Sequence, residues 1–133
     1  MPGPMVQGTE TILLVEDDET VRRLIREVLH KCGYEVLDAA DGDAALSICE
    51  QYPKAIDLLL TDVIMPRMSG REVASRVAAL RPDMKVLFMS GYTDDAIVHH
   101  GFLDAETPFI QKPFALDVLA RKVRDVLDGR SQS

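Results

Sequence analysis

Short apolar segments recur along the chain at nearly regular intervals, with longer stretches of helical periodicity between them. Such runs are typical of strands that are buried on both faces of a parallel sheet, because those strands do not alternate apolar with polar residues. The pattern predicts five strands, at residues 11–15, 35–37, 58–61, 86–89 and 109–111.

The intervening segments repeat apolar side chains every three to four residues, which predicts one amphipathic helix after each strand. Gly33 supplies a left-handed stop for the first helix, and Ser69 is a suitable N-cap for the third. The fourth helix is predicted to be short and to begin at Thr93 or Asp94. The five apolar stripes are Val21, Leu24, Ile25, Val28, Leu29 and Cys32; Ala45, Ile48, Cys49 and Tyr52; Val73, Ala74, Val77 and Leu80; Ala96 and Ile97; and Leu116, Leu119, Val123, Val126 and Leu127.

Strict alternation of strand and helix predicts the α/β class, with helices on both faces of a parallel sheet. The expected architecture is a three-layer, flavodoxin-like (βα)5 fold whose five strands are ordered 2-1-3-4-5. Residues 9–128 would form this domain, between a flexible Pro- and Gly-rich leader at 1–8 and a flexible tail at 129–133.

Composition narrows the function classes. The 133 residues are 47% hydrophobic and 28% charged, as expected of one globular domain. A net charge of −7 argues against direct binding to nucleic acid, and no apolar run is long enough to cross a bilayer. Cys32 and Cys49 fall at apolar helix positions and are predicted to be buried free thiols, which favours the reducing cytoplasm.

Chemistry-bearing side chains follow four of the predicted strands. Glu16, Asp17 and Asp18 end the first strand, and Asp62 ends the third. Ser90 follows the fourth strand, and Lys112 and Pro113 follow the fifth. Because ligands bind beyond the carboxyl ends of the strands in such sheets, these groups are expected to meet in one crevice.

Clustered acids at this edge indicate a cation site. Two like charges about 4 Å apart repel by roughly 4 kcal/mol at an effective dielectric near 20, so Glu16, Asp17 and Asp62 need a counter-charge. Oxygen ligands suit Mg²⁺ or Mn²⁺, and no histidine or cysteine near the strand ends suggests zinc. Such an ion usually serves phosphate chemistry. Asp62 would be the nucleophile, with Lys112 and the Ser90 hydroxyl pairing with phosphoryl oxygens.

Four motifs together resemble the receiver domains of two-component response regulators. They are ILLVEDD, LLLTDVIMPRMSG around Asp62, LFMSGYT around Ser90 and FIQKPF around Lys112. The resemblance covers about residues 9–128, and four motifs in this order are far more specific than any one of them.

The resemblance implies a role for each matching residue. Asp62 would be phosphorylated, and the metal would be bound by Asp17 and Asp62, by Glu16 through water and by the backbone carbonyl of Ile64. Lys112 would precede a cis peptide bond to Pro113. Phe109 and Ser90 would form the switch, which remodels the face made by the fourth helix, fifth strand and fifth helix. No organic cofactor is implied.

The partner would be a histidine kinase or a histidine phosphotransfer domain, without nucleic-acid or membrane contact, and the domain would be a monomer or weak dimer. The spelling MSGYTDDAIVHHG looks most like receivers at the C-terminal end of hybrid sensor histidine kinases. A stand-alone response regulator is the alternative. A Mg²⁺-dependent aspartyl-phosphate phosphatase is more remote, because Ile64 stands where such enzymes usually place an acid.

Overall fold

Five parallel strands form one sheet with the order β2-β1-β3-β4-β5, which confirms the predicted topology. The structure is a computed structural model, and it describes residues 8–65, 67–91 and 108–129. The strands are β1 (Thr11–Val15), β2 (Glu35–Ala39), β3 (Leu58–Asp62), β4 (Lys85–Ser90) and β5 (Phe109–Gln111).

Four helices connect or follow these strands within the described residues. The predicted caps are confirmed: Gly33 has a φ of 101°, and Ser69 accepts a hydrogen bond from the N–H of Glu72 at 3.1 Å. The fourth predicted helix falls in 92–107, outside the described residues. The helices are α1 (Glu19–Lys31), α2 (Gly42–Gln51), α3 (Gly70–Leu80) and the C-terminal helix (Leu116–Asp128).

Alternate residues of each strand build two separate cores. Ile12 and Leu14 of β1 face α1 and the C-terminal helix, whereas Leu13 and Val15 face α2 and α3. The sheet is therefore covered on both sides, as the uninterrupted apolar runs predict. The thiols of Cys32 and Cys49 are free and buried, one in each core, as predicted.

Among the described residues of the predicted apolar stripes, two are largely exposed. Leu24 of α1 is 48% exposed and Leu80 of α3 is 47% exposed. The periodicity is correct at both positions, but each side chain lies at the border of its stripe and reaches solvent. No helix among the described residues is both long and apolar enough to cross a membrane.

Both ends of the described chain lie at the amino edge of the sheet. The N–H of Gly8 donates to the carbonyl of Cys32 at 2.9 Å, directly after α1. Gly129 caps the C-terminal helix in the left-handed region, with a φ of 76°, beside the Lys85 side chain at the start of β4. The predicted leader at 1–8 and tail at 129–133 lie outside the described residues except for Gly8 and Gly129.

Candidate functional site

Four strands bring the predicted chemical groups to the carboxyl edge of the sheet. Glu16 directly follows β1 and extends its ladder by donating its N–H to the carbonyl of Ala39 at 3.1 Å. Asp62 and Ser90 are the last residues of β3 and β4, and Lys112 follows β5. The register pairs Asp62 with Met89, the residue before Ser90, so the two side chains come from adjoining strand ends.

Lys112 joins the two buried acids. Its Nζ lies 2.6 Å from Oε1 of Glu16 and 2.7 Å from Oδ1 of Asp62. Its backbone N–H donates to the carbonyl of Ser90 at 2.7 Å, and the peptide bond to Pro113 is cis. One ammonium group therefore faces two carboxyl groups in a place where water has little access.

Three carboxylates converge beside this ion pair. One oxygen each from Glu16, Asp17 and Asp62 lies within 4.8 Å of the others. Glu16 and Asp62 are buried and Asp17 is exposed, so the cluster opens to solvent on one side. Oδ2 of Asp62 is buried without a hydrogen-bond partner among the described residues. An all-oxygen donor set with an unsatisfied oxygen and an open side fits a hard divalent cation.

The pKa values of the two buried acids are driven apart. Burial, together with the neighbouring Glu16 carboxylate, raises the pKa of Asp62 to about 8, against the opposing effect of Lys112. Burial also acts to raise the pKa of Glu16, but interactions with Asp62, Lys112 and the Asp18 N–H outweigh it and leave that pKa lowered. Of the two acids, Asp62 therefore binds a proton more readily, and Glu16 carries a negative charge more readily.

Ser90, Phe109 and Ile64, the other residues predicted for the site, differ in burial. Ser90 is buried, and its Oγ has no hydrogen-bond partner among the described residues. Phe109 is half-buried and packs against Val63 and Phe88. Ile64, two residues after Asp62, is 50% exposed at the rim of the site.

The loop after Asp62 is shaped by two residues that the sequence analysis did not single out for this purpose. A Cβ atom on Gly70 would overlap the backbone carbonyl of Asp62, so only glycine allows α3 to begin against the end of β3. Arg67 has a φ of 68°, and its Nη2 donates to Oδ2 of Asp41 at 3.1 Å. The serine–glycine pair at the start of α3 was a usable signal for the close approach at Gly70. No local pattern indicates the positive φ of Arg67.

Comparison with known proteins identifies one family. Residues 12–124 match the family model of the response regulator receiver domain. The response regulator receiver protein CpdR of Brucella abortus (strain 2308) is 34% identical over 116 residues, which cover 87% of this chain and 95% of CpdR.

Two further similarities involve proteins named CckA. The sensor kinase CckA of Brucella abortus (strain 2308) is 38% identical over 123 residues, which are 92% of this chain but 13% of that kinase. A crystal structure of the receiver domain from the hybrid histidine kinase CckA superposes with a TM-score of 0.73 at 35% identity, covering 88% of this chain and 98% of that domain.

Proposed function

The chain belongs to the response regulator receiver domain family, and from that membership we propose that Asp62 accepts a phosphoryl group from a phosphohistidine of a partner protein. A carboxylate oxygen of Asp62 forms the new bond to phosphorus, while the bond from phosphorus to the imidazole nitrogen breaks and its electron pair stays on that nitrogen. The observation that carries the proposal is the buried Asp62 carboxyl group, whose Oδ1 pairs with Lys112 and whose Oδ2 has no hydrogen-bond partner in the described ranges.

Lys112 and Ser90 would bind the transferred group. The ammonium group of Lys112 lies within 2.7 Å of both acids, so a small shift would pair it with a phosphoryl oxygen. The Ser90 hydroxyl is buried and lacks a partner among the residues the structure describes, which leaves its hydrogen free to donate. Both groups favour the charge that accumulates on the phosphoryl oxygens.

Glu16, Asp17 and Asp62 would hold Mg²⁺ or Mn²⁺, with Glu16 acting through water and the Ile64 backbone carbonyl as a further ligand. The three acidic side chains supply the oxygen donors that these ions prefer. Burial raises the pKa of Asp62 to about 8, and a cation bound beside it would favour the ionised form that attacks phosphorus. When bound, the cation neutralises negative charge on the transferring oxygens.

The phosphohistidine partner would be a histidine kinase or a histidine phosphotransfer domain that approaches over α1. An apolar groove of about 500 Å³ runs between α1 and the start of the C-terminal helix, and Lys112 lies at its border. Leu24, half-exposed on α1, forms part of its wall. An apolar surface that ends at the phosphoryl-binding lysine would position a partner's histidine beside Asp62.

Phosphorylation would act through Ser90 and Phe109. Ser90 would move toward the phosphoryl group, and the ring of Phe109 would turn into the space vacated, which would change the surface of the fifth strand and the helices beside it. The half-buried packing of Phe109 against Val63 and Phe88 supports this, because such a ring can exchange one partly buried position for another.

We also infer that the chain is a receiver from a hybrid sensor histidine kinase. The 38% identity to the sensor kinase CckA supports this origin, and the 34% identity to almost the whole of CpdR supports the stand-alone alternative. The coding sequence upstream of Met1 would decide between them. A histidine kinase core in the same reading frame is the expected result, and a stop codon there would favour the alternative.

Intact mass measurement with acetyl phosphate and Mg²⁺ tests the phosphoacceptor. Wild-type protein is expected to gain the mass of one phosphoryl group, and Asp62→Asn is expected to gain none, because an amide is not a nucleophile for phosphorus. Asp17→Asn should label only at raised Mg²⁺ concentration. Unmodified wild-type protein, under conditions that label a known receiver, would refute the proposal. Rapid turnover of a simple phosphomonoester would favour the phosphatase instead.

A further inference from the structure

Arg22 of α1 reaches back to the peptide bond between the two acids Glu16 and Asp17. Its Nη1 donates to the backbone carbonyl of Glu16 at 2.8 Å. Its Nε lies 3.3 Å from Oδ2 of Asp38 in β2, and only 19% of the side chain is exposed. The guanidinium therefore fastens the end of β1 to the neighbouring strand with two contacts that point in different directions.

Further hydrogen bonds stabilise the turn between Glu16 and the first residues of α1. The N–H of Asp18 donates to Oε2 of Glu16 at 3.1 Å, and the N–H of Val21 donates to Oδ1 of Asp18 at 3.1 Å. The backbone N–H of Arg22 donates to the carbonyl of Asp18 at 2.9 Å. The Arg22 side chain adds a hydrogen bond from α1 back to the Glu16 carbonyl, at the end of the strand.

We propose that Arg22 is a positioning residue, which holds the Glu16–Asp17 peptide so that both carboxylates face Asp62. The inference rests on the proposed metal-dependent function and deepens it. Asp17 is exposed, and a free β1–α1 turn would let its side chain leave the cluster. A group that holds the backbone of a metal ligand raises affinity by reducing the freedom lost on binding.

Two possible roles of Arg22 predict opposite changes in Mg²⁺ affinity when the side chain is removed. As a brace, Arg22 favours cation binding, and its loss weakens the affinity for Mg²⁺. As a mere positive charge near the site, it repels Mg²⁺, and its loss strengthens that affinity. The Asp38 carboxylate offsets part of the Arg22 charge, and we expect the effect of the hydrogen bond to Glu16 to dominate.

Arg26 is the matched control, since it lies one turn further along α1 and pairs with the same Asp38 carboxylate, at 3.6 Å. Its side chain is 56% exposed, against 19% for Arg22. Arg26→Met removes an equal charge from the same helix and leaves the hydrogen bond from Arg22 to Glu16 in place.

The experiment measures the dissociation constant for Mg²⁺ by NMR titration of the phosphate-free full chain, in wild type, Arg22→Met, Arg22→Gln and Arg26→Met. Arg22→Met is expected to weaken Mg²⁺ binding by about tenfold. Arg22→Gln, which keeps an N–H donor, should recover part of this loss, and Arg26→Met should change the affinity by less than about twofold. Hydrogen exchange of the Asp17 amide should become faster in Arg22→Met only.

Phosphorylation by acetyl phosphate distinguishes the role of Arg22 from the proposed role of Asp62 as phosphoacceptor. At saturating Mg²⁺ the labelling rate of Arg22→Met should approach that of wild type, because the acceptor chemistry is intact. Equal Mg²⁺ affinity in Arg22→Met and Arg26→Met, or tighter binding in Arg22→Met, would overturn the role of Arg22 while the phosphoacceptor stands. Wild-type protein that binds no Mg²⁺ would instead refute the proposed function. If Arg22→Met does not fold, Arg22→Gln and Arg26→Met give the same comparison.

Discussion

Each edge of the sheet holds a basic side chain paired with two acids, but the pKa of an acid is raised at one edge and lowered at the other. At the carboxyl edge, Lys112 faces Glu16 and Asp62. At the amino edge, Arg124 of the C-terminal helix faces Glu10 and Asp128, with its Nη2 at 2.6 Å and 2.7 Å from them. Each edge thus combines one cation with two acids, yet only the first is left with unsatisfied groups among the described residues.

The difference appears in the direction of the pKa shifts. The hydrogen bonds from Arg124 lower the pKa of Glu10 to about 2, whereas burial raises the pKa of Asp62 to about 8. Glu10 receives two hydrogen bonds from one guanidinium, at 3.0 Å and 2.6 Å, and keeps contact with solvent. Asp62 loses its solvent and gains a single cation that it shares. The amino edge therefore stabilises the fold, whereas burying the Asp62 carboxyl group at the carboxyl edge costs stability.

Removing the amino-edge cation should have the largest effect on stability. Arg124→Met loses both acid partners and the hydrogen bond to the Tyr34 hydroxyl, and should lower the free energy of unfolding by about 2 kcal/mol. Urea denaturation measures the change. Arg121→Met, an exposed site on the same helix, should stay within about 0.5 kcal/mol of wild type. Equal stability of the two variants would remove the contrast between the edges.

Replacing the proposed acceptor Asp62 by a neutral residue should increase stability instead of lowering it. Asp62→Asn removes a buried acid with an unsatisfied oxygen, and in metal-free buffer near pH 8 it should raise the free energy of unfolding by about 1 kcal/mol or more. A group whose folded pKa is raised costs stability as the pH rises through the interval between its unfolded and folded pKa values. The gain should therefore shrink as the pH falls from about 8 toward 3.8, the ordinary pKa of an aspartate. A destabilised Asp62→Asn protein would contradict this account.

The smallest effect should come from Glu10→Gln, and it should depend on pH in the reverse sense. Because the folded pKa of Glu10 is lowered from 4.5 to about 2, its contribution is complete above about pH 5 and is lost as the pH falls. The difference in free energy of unfolding between wild type and Glu10→Gln should be constant from about pH 7 to pH 5, and smaller at about pH 3. Urea denaturation at these pH values checks it, and a difference that grows toward low pH would assign the stability to another group.

The local sequence pattern predicted most of the fold because the strands consist mainly of apolar residues. The first and fifth strands have the predicted bounds, and β2 and β4 extend one or two residues beyond theirs, into polar positions such as Asp38 and Lys85. Side chains at parallel strand ends meet by topology alone, so the grouping of Asp62 with Lys112 was also predictable.

Interactions between distant polar side chains were not predictable in the same way. Glu10 and Arg124 lie 114 positions apart, and hydrophobic periodicity contains no signal that pairs them. Arg22 occupies an unremarkable polar position of α1, and its contact with the Glu16 carbonyl depends on how the turn folds back. The exposure of Leu24 was not predictable either, because helical periodicity identifies an apolar face but not which side chains on that face are covered by a neighbouring helix.

The positions of Gly8 and Gly129 allow other polypeptide to be attached at the amino edge of the sheet. Gly8 is tied to the end of α1 and Gly129 lies beside the start of β4, so both points of attachment are on the side away from Asp62. We expect a domain or a fluorescent reporter attached at either point to extend from the amino edge of the sheet and to leave Asp62 uncovered.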